Sequence, residues 1–321
     1  MIAFFNGRAK ILLLKCFGGG RNNLQELKEQ YPNLIIKENE SLANYTYTKT
    51  GGPADFVVFP TTIEEVQAVV TQVNRENLPL TVLGNASNLI VRDGGIRGVV
   101  IILTQLDQIT AKEHQVISQA GALLIDTSQA AYEQGLTGLE FACGIPGSIG
   151  GALYMNAGAY GGEVKDCIEE ATVLTRAGEI KTYSNADLDF SYRHSLVQET
   201  GDIVLEVVFA LQPGDPEEIR RQMDTLTELR TSKQPLKLPS CGSVFKRPEG
   251  FYTGKLIQDA GLQGLKWGGA QVSEKHAGFI VNIDHATATD YIELIAHIQE
   301  AIKEKYDVNL ETEVHIIGDE R

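Results

Sequence analysis

Basic residues are scarce in this chain. Its 321 residues include 28 Lys and Arg against 42 Asp and Glu, a formal charge of −14. Binding to nucleic acid needs clustered cations facing phosphates, so no nucleic-acid partner is expected. Cysteine is scarce too: Cys16, Cys143, Cys167 and Cys241 stand far apart and form no C-x-x-C pair. That usage fits a reducing compartment and predicts a cytoplasmic protein. Long apolar runs are missing. The run at residues 11–14 is closed by Lys15 and is too short for a signal core or a membrane span, so no membrane partner is expected. Residues 1–20 read as a loose N-terminal extension.

Several motifs are absent as well. There is no G-x-x-x-x-G-K-[ST] and no G-x-G-x-x-G opening a helix, which argues against a P-loop NTPase and a Rossmann domain. The six histidines show no H-E-x-x-H and have no cysteine pair beside them, so no metal site is expected. Neither Ser148 nor Ser243 sits in G-x-S-x-G, against a hydrolase elbow.

What is present is a 43% hydrophobic fraction, enough for a substantial core. Strand and helix patterns alternate. "DFVVFP" (55–60), "LTVL" (80–83) and "GVVIIL" (98–103) read as strands. Thr62 followed by Glu65 is a capping box that opens a helix with Ile63, Val66, Val69, Val70 and Val73 on one face. Further helices are predicted at 122–134, at 216–232 after the "QPGDP" break, and at 289–306, where Ile292, Ile295, Ile298 and Ile302 form a stripe. "DIVLEVVFAL" (202–211) and "VNLETEVHIIG" (308–318) complete the strands. The pattern is a mixed α/β protein of at least two domains.

Glycine is concentrated in "GLEFACGIPGSIGGALYMNAGAYGGEV", residues 138–164, with Ile, Leu, Tyr and Met between the glycines. A second small-residue loop, Gly84-Asn85-Ala86-Ser87-Asn88, follows a strand. Backbone without Cβ lets N–H groups converge on phosphate oxygens. Two such loops, the other being 144–151, point to a diphosphate ligand.

"TGGPADFVVFP", "LGNASNLIV", the glycine stretch, "SYRHS", "GSVFKRP", "GGAQVSEKHAGFIVN" and "LETEVHIIG" occur in an order that resembles MurB. These are the UDP-N-acetylenolpyruvoylglucosamine reductases, bacterial flavoenzymes of peptidoglycan synthesis. The resemblance covers about residues 40–318. It implies an α+β fold in which residues 21–212 form a two-subdomain FAD-binding domain of the PCMH/vanillyl-alcohol-oxidase type. A smaller α/β substrate-binding domain would span 213–307, and a returning strand at 308–321 would carry a catalytic glutamate. It also implies tightly bound FAD, NADPH as hydride donor, UDP-N-acetylglucosamine enolpyruvate as substrate, and a monomer or weak oligomer.

Carried onto this chain, the resemblance gives the cofactor to Gly84, Asn85, Ala86, Ser87, Asn88, Gly144, Ile145, Pro146, Gly147, Ser148, Gly150, Gly151, Asn156 and Gly158. It gives catalysis to three residues: Arg193 polarising the substrate carboxylate, Ser243 donating a proton, and Glu313 assisting both, with Glu311 as the fallback. The sequence departs from the family at Ala86, where glycine is usual, and at Thr312 and His315. The interval of 243 − 193 = 50 residues between Arg193 and Ser243 suggests the variant without an inserted lid loop. Tyr192, Lys246 and Arg247 are then the preferred substrate contacts, with Lys255, Gln271 and Lys275 behind them. Two other readings stay open: an oxidase on the same cofactor fold, and a binding protein without turnover.

Overall fold

The structure is a computed structural model that describes residue 24 and residues 26–320. The expectation for residues 1–20 falls outside the described residues.

The first lobe is a four-stranded sheet in the order Ile35–Ser41, Pro53–Phe59, Ile96–Ile102, Leu80–Leu83, with the last three strands parallel. The helix Ile63–Arg75 makes the crossover and buries Val66, Val69, Val70 and Val73. Thr62 caps it by accepting from Glu65 N at 3.2 Å. Glu65 returns to the backbone N of Thr61 (2.7 Å), one residue earlier than a capping box requires.

The second lobe is an antiparallel sheet of five strands, in the order Ile180–Ser184, Ile168–Leu174, Ile203–Ala210, Gln115–Gln119, Ile109–Lys112. The helix Leu124–Glu133 and the short helix Ile149–Tyr154 lie on it. One continuous apolar core joins the two lobes, running from Val58 and Val99 through Leu124 and Ile149 to Val173 and Val207. The helix Pro216–Lys233 starts on an Asp215 cap, as read, but it packs back on the second lobe through Ile219 and Met223.

The third unit is a four-stranded antiparallel sheet, Ser240–Ser243, Phe279–Asn282, Ala270–Val272, Lys266–Trp267, covered by the helix Ala288–Tyr306. That helix buries Tyr291, Leu294, Ile295, Ile298 and Ile302.

The chain then returns to the first lobe, where His315–Ile317 pairs in parallel with Leu89–Val91. The regular strand is thus three residues long, not the eleven that alternation suggested. Residues 311–314 instead bond sideways to the third unit. Val244 O accepts from Glu313 N (2.8 Å), and Glu311 O accepts from Lys246 N (2.9 Å). Three more clamps fix the third unit against the first lobe. Asn282 donates to Thr48 O (3.0 Å), and Asn88 donates to Glu313 O (3.2 Å). The Asp93 carboxylate accepts from the N–H groups of Ala288 and Thr289 at the start of the long helix. No helix among the described residues is long and apolar enough to cross a membrane.

Candidate active site

A cavity of about 690 Å³ runs between the lobes and the third unit, within the size range of cofactor sites. The two small-residue loops form one wall. They are cross-linked: Asn85 N donates to Ser148 Oγ (3.3 Å), and Asn85 Nδ2 donates to Pro146 O (3.1 Å) and Tyr47 Oη (2.9 Å). Asn85 and Ser148 therefore hold the two loops together, Asn88 ties its loop to Glu313 O (3.2 Å), and the Ser148 hydroxyl, which accepts from Asn85, keeps its own proton to donate. Gly84 explains the close approach, since a Cβ there would lie 2.0 Å from Ser148 Oγ.

The glycines divide by role. A Cβ on Gly144 would strike Arg230 at 2.7 Å, and one on Gly150 would press on Ala120. A Cβ on Gly147 or Gly151 would meet nothing closer than 3.9 and 3.4 Å respectively. Those two leave room on the cavity side, which Ala86, Ser87, Ile145 and Pro146 also line. Ala86 holds φ +47° and is buried, so its methyl sits in the left-handed region that disfavours a side chain.

At one end of the cavity three residues far apart in sequence converge. Arg193 occupies the third position of the Ser191–His194 turn, with φ +58° and hydrogen bonds closing the turn at both ends. A turn of this kind needs positive φ at its third residue, and there the backbone strain sits under a functional candidate. Arg193 Nε donates to Glu313 Oε1 at 2.8 Å, with both side chains mostly buried (18% and 15% exposed). Its Nη2 reaches Gly158 O at 3.4 Å, and Nη1 has no partner among the described residues. Ser243 ends the strand Ser240–Ser243 after a register irregularity beside Gly242 (φ +77°), a feature that re-aims a side chain. Its hydroxyl donates only a long bond, 3.3 Å, to Phe245 O and lines the cavity. Because Val244 accepts from Glu313 N, Ser243 and Glu313 lie on adjoining backbone. Glu311 points elsewhere: it is 76% exposed and pairs with Lys246 at 3.4 Å.

Of the other proposed contacts, Asn156, Tyr192, Lys246 and Arg247 fall outside the cavity lining. Asn156 is fully buried, donates to Glu163 Oε2 and Ser191 O, and accepts from Lys165 N. It braces the Ser191 turn through the bond to Ser191 O and does not line the cavity. Gly158 lines the cavity, but its missing Cβ makes room for Glu163 and Gly162 in a tight hairpin. Tyr192, Lys246 and Arg247 form a ridge beyond Arg193.

Four lining residues were given no place at the site from sequence, and of them only His315 was named, as a departure from the family. Arg230, on the last turn of Pro216–Lys233, has a buried Nε with no partner, and burial lowers its pKa. Gln234, one turn on, buries an equally unpartnered Oε1. His276 accepts from Gly278 N on Nδ1 (3.1 Å), which places its proton on Nε2. His315 lies 3.1 Å from Met155 Sδ and edge-on to Tyr154. Burial pulls both histidines below the usual range, and for His315 the nearby Lys246 adds to this. Periodicity carries no sign of these four, because an unpaired cation is visible only once its surroundings are folded. Cys241 also lines the cavity, but burial pushes its thiol up to about 12, which leaves it inert as a nucleophile. No cluster of His, Cys, Asp and Glu among the described residues could hold a metal.

Residues 54–184, which contain both loops, match the family model of an FAD binding domain. With the two-lobed fold and its cleft, this defines a flavin oxidoreductase. Residues 234–317, which contain Ser243 and Glu313, match the UDP-N-acetylenolpyruvoylglucosamine reductase C-terminal domain. Reductases of that name from Levilactobacillus brevis and Enterococcus faecalis are each 62% identical. The alignments cover 92% and 93% of this chain and 98% and 99% of those proteins. The crystal structure of the Thermus caldophilus enzyme superposes with a TM-score of 0.77 at 36% identity, covering 89% of this chain and 99% of that one. The chain belongs to the UDP-N-acetylenolpyruvoylglucosamine reductase family.

Proposed function

We propose that this chain reduces UDP-N-acetylglucosamine enolpyruvate to UDP-N-acetylmuramate in the cytoplasm, using NADPH and bound FAD and acting as a monomer or weak oligomer. The residues present fit the cofactor. Gly147 and Gly151 leave room for close approach, while the orphaned Arg230 Nε and Gln234 Oε1 call for an anionic acceptor and a donor. The loops 84–88 and 144–151 would hold the diphosphate, with Arg230 supplying the charge. When bound, FAD would supply the hydride, received from NADPH, that the terminal vinyl carbon of the substrate needs.

The protein's own residues handle charge and proton. Reduction of an enolpyruvyl ether builds negative charge on the carboxylate, and Arg193 can meet it with the free Nη1. Glu313 holds the guanidinium by its Nε edge and leaves the far edge open. Ser243, weakly tied at 3.3 Å, can turn to protonate the carbon that receives no hydride. The observation that carries this reading is the Arg193–Glu313 pair set beside Ser243 at one end of a cleft whose wall is the two loops.

We also place the border of the substrate-binding unit near residue 234 and not at 213, because the helix Pro216–Lys233 packs on the second lobe. Anaerobic spectra test the function. The flavin absorbance should bleach with NADPH and return on adding the enolpyruvyl sugar nucleotide. Recovery only in air would favour an oxidase, and protein that cannot take up FAD would refute the cofactor site.

A further inference from the structure

Arg193 holds a conformation that its own backbone resists. Its φ of +58° lies in the left-handed region, which an L side chain keeps only where the surroundings hold it there. Two side-chain amides do the holding. Asn156 Nδ2 donates to Ser191 O (2.9 Å) at the start of the turn, and Gln198 Nε2 donates to Arg193 O itself (3.0 Å). The same Gln198 nitrogen donates to Tyr154 O at 2.6 Å. Tyr154 is the last residue of the short helix Ile149–Tyr154, which leads off from the glycine loop. Ser195 Oγ also donates to that carbonyl (2.9 Å), in a bond that does not involve Arg193.

We propose that Gln198 is the positioning residue of Arg193. Its amide suspends the Arg193 carbonyl from the end of the glycine-loop helix and so fixes the direction in which the guanidinium leaves the turn. This rests on the functional reading above and adds to it a residue of the short helix Val197–Thr200. Gln198 lines the cavity, where a ligand contact would be the obvious role. Its amide nitrogen carries two protons, however, and two backbone carbonyls stand ready to take them. No donor is left over for a ligand. Arg193 Nε meets Glu313 at 2.8 Å while the turn keeps its shape, and a turn relaxed to negative φ would swing the side chain off that partner.

Stopped-flow absorbance on the FAD-loaded protein reads both half-reactions. Gln198→Met is similar in length and has no proton to give. It should lower the limiting rate of flavin reoxidation by the enolpyruvyl sugar nucleotide by about 10-fold, the scale of a small misplacement of a reacting group. The half-saturating concentration should stay within about threefold, because charge built up in the transition state feels a misaimed cation most. Bleaching by NADPH should stay within about twofold. Gln198→Glu, ionised and equally without a donor, repeats the measurement should the first variant not fold. Ser195→Ala cuts the other bond to Tyr154 O and should leave the limiting rate within about twofold. In an Arg193→Ala background, Gln198→Met should cost less than about twofold more, because its effect passes through Arg193.

An equal loss from Ser195→Ala, equal losses in both half-reactions, an additive loss on top of Arg193→Ala, or no loss at all would overturn the assignment. A rise in half-saturating concentration alone would overturn it too, by making Gln198 a ligand contact. Wild-type protein that bleaches with NADPH and never recovers with the sugar nucleotide would instead refute the functional reading.

Discussion

Two arginines line the same cleft and are treated in opposite ways. Arg193 lies against Glu313 at 2.8 Å, in a strained turn that fixes its direction. Arg230 lies against the bare backbone of Gly144, with its Nε buried and unpartnered. A paired cation keeps its place whether or not a ligand is present, and its field is moderated. An unpaired buried cation raises the free energy of the empty protein and recovers it when an anion arrives. The first arrangement suits a group that must act on substrates that come and go. The second suits a group that holds a resident anion.

The sharpest way to break this comparison is at the proton donor beside the paired arginine. Ser243→Ala should slow reoxidation of the reduced flavin by the sugar nucleotide by about 10²-fold, while bleaching by NADPH stays close to wild type. Stopped-flow absorbance measures both halves, and equal losses would remove Ser243 from its role. Next comes Arg230→Met. It should weaken FAD binding by about 10- to 100-fold, the worth of a charge-assisted hydrogen bond, while the FAD-free protein melts no lower than wild type. Titration calorimetry with FAD and melting curves of the stripped protein check the pair of outcomes. A drop in the melting temperature of the stripped protein would mean that Arg230 is structural.

Glu313→Gln probes the opposite case, because it leaves Arg193 without its counter-charge. The FAD-free protein should lose about 1–3 kcal/mol of stability in denaturant titration. Losing nothing would show that the pair is as dispensable as an exposed one. Ala86→Gly should be a smaller effect of the other sign. It removes a methyl from φ +47° and should stabilise by about 1 kcal/mol or less.

The smallest effect is with pH. His276 and His315 both titrate below the ordinary value of 6.5 when folded. The unfolded chain therefore binds more protons between the folded values and 6.5, and stability must fall as pH drops through that window. His276→Gln should flatten the fall, read as melting temperature against pH, and an unchanged slope would exclude His276 as a contributor.

The elements were largely legible. The helix over 289–306 comes out as Ala288–Tyr306, and the one over 216–232 as Pro216–Lys233, because an apolar stripe and an N-cap are local properties of the chain. The strand over 308–318 was misjudged. Its alternation is real, since Leu310 and Val314 are buried while Glu311 is exposed. Yet its hydrogen bonds go to two different neighbours, and only His315–Ile317 forms a ladder. The resemblance gives Asn156 to the cofactor; folded, it is buried and braces the Ser191 turn, a partner that only the tertiary structure brings to it.

The sequence by itself determined where the backbone is bare, which faces are apolar and which family's motifs stand in what order, for these are written in contiguous residues. Only the tertiary structure decided that Arg193, Ser243 and Glu313 share one end of a cleft, that Glu313 and not Glu311 faces Arg193, and that Arg230 has no partner. Charge pairing depends on distance across space, and three segments separated by 50 and 70 residues (243 − 193 and 313 − 243) meet only when a strand of the last unit returns to the first.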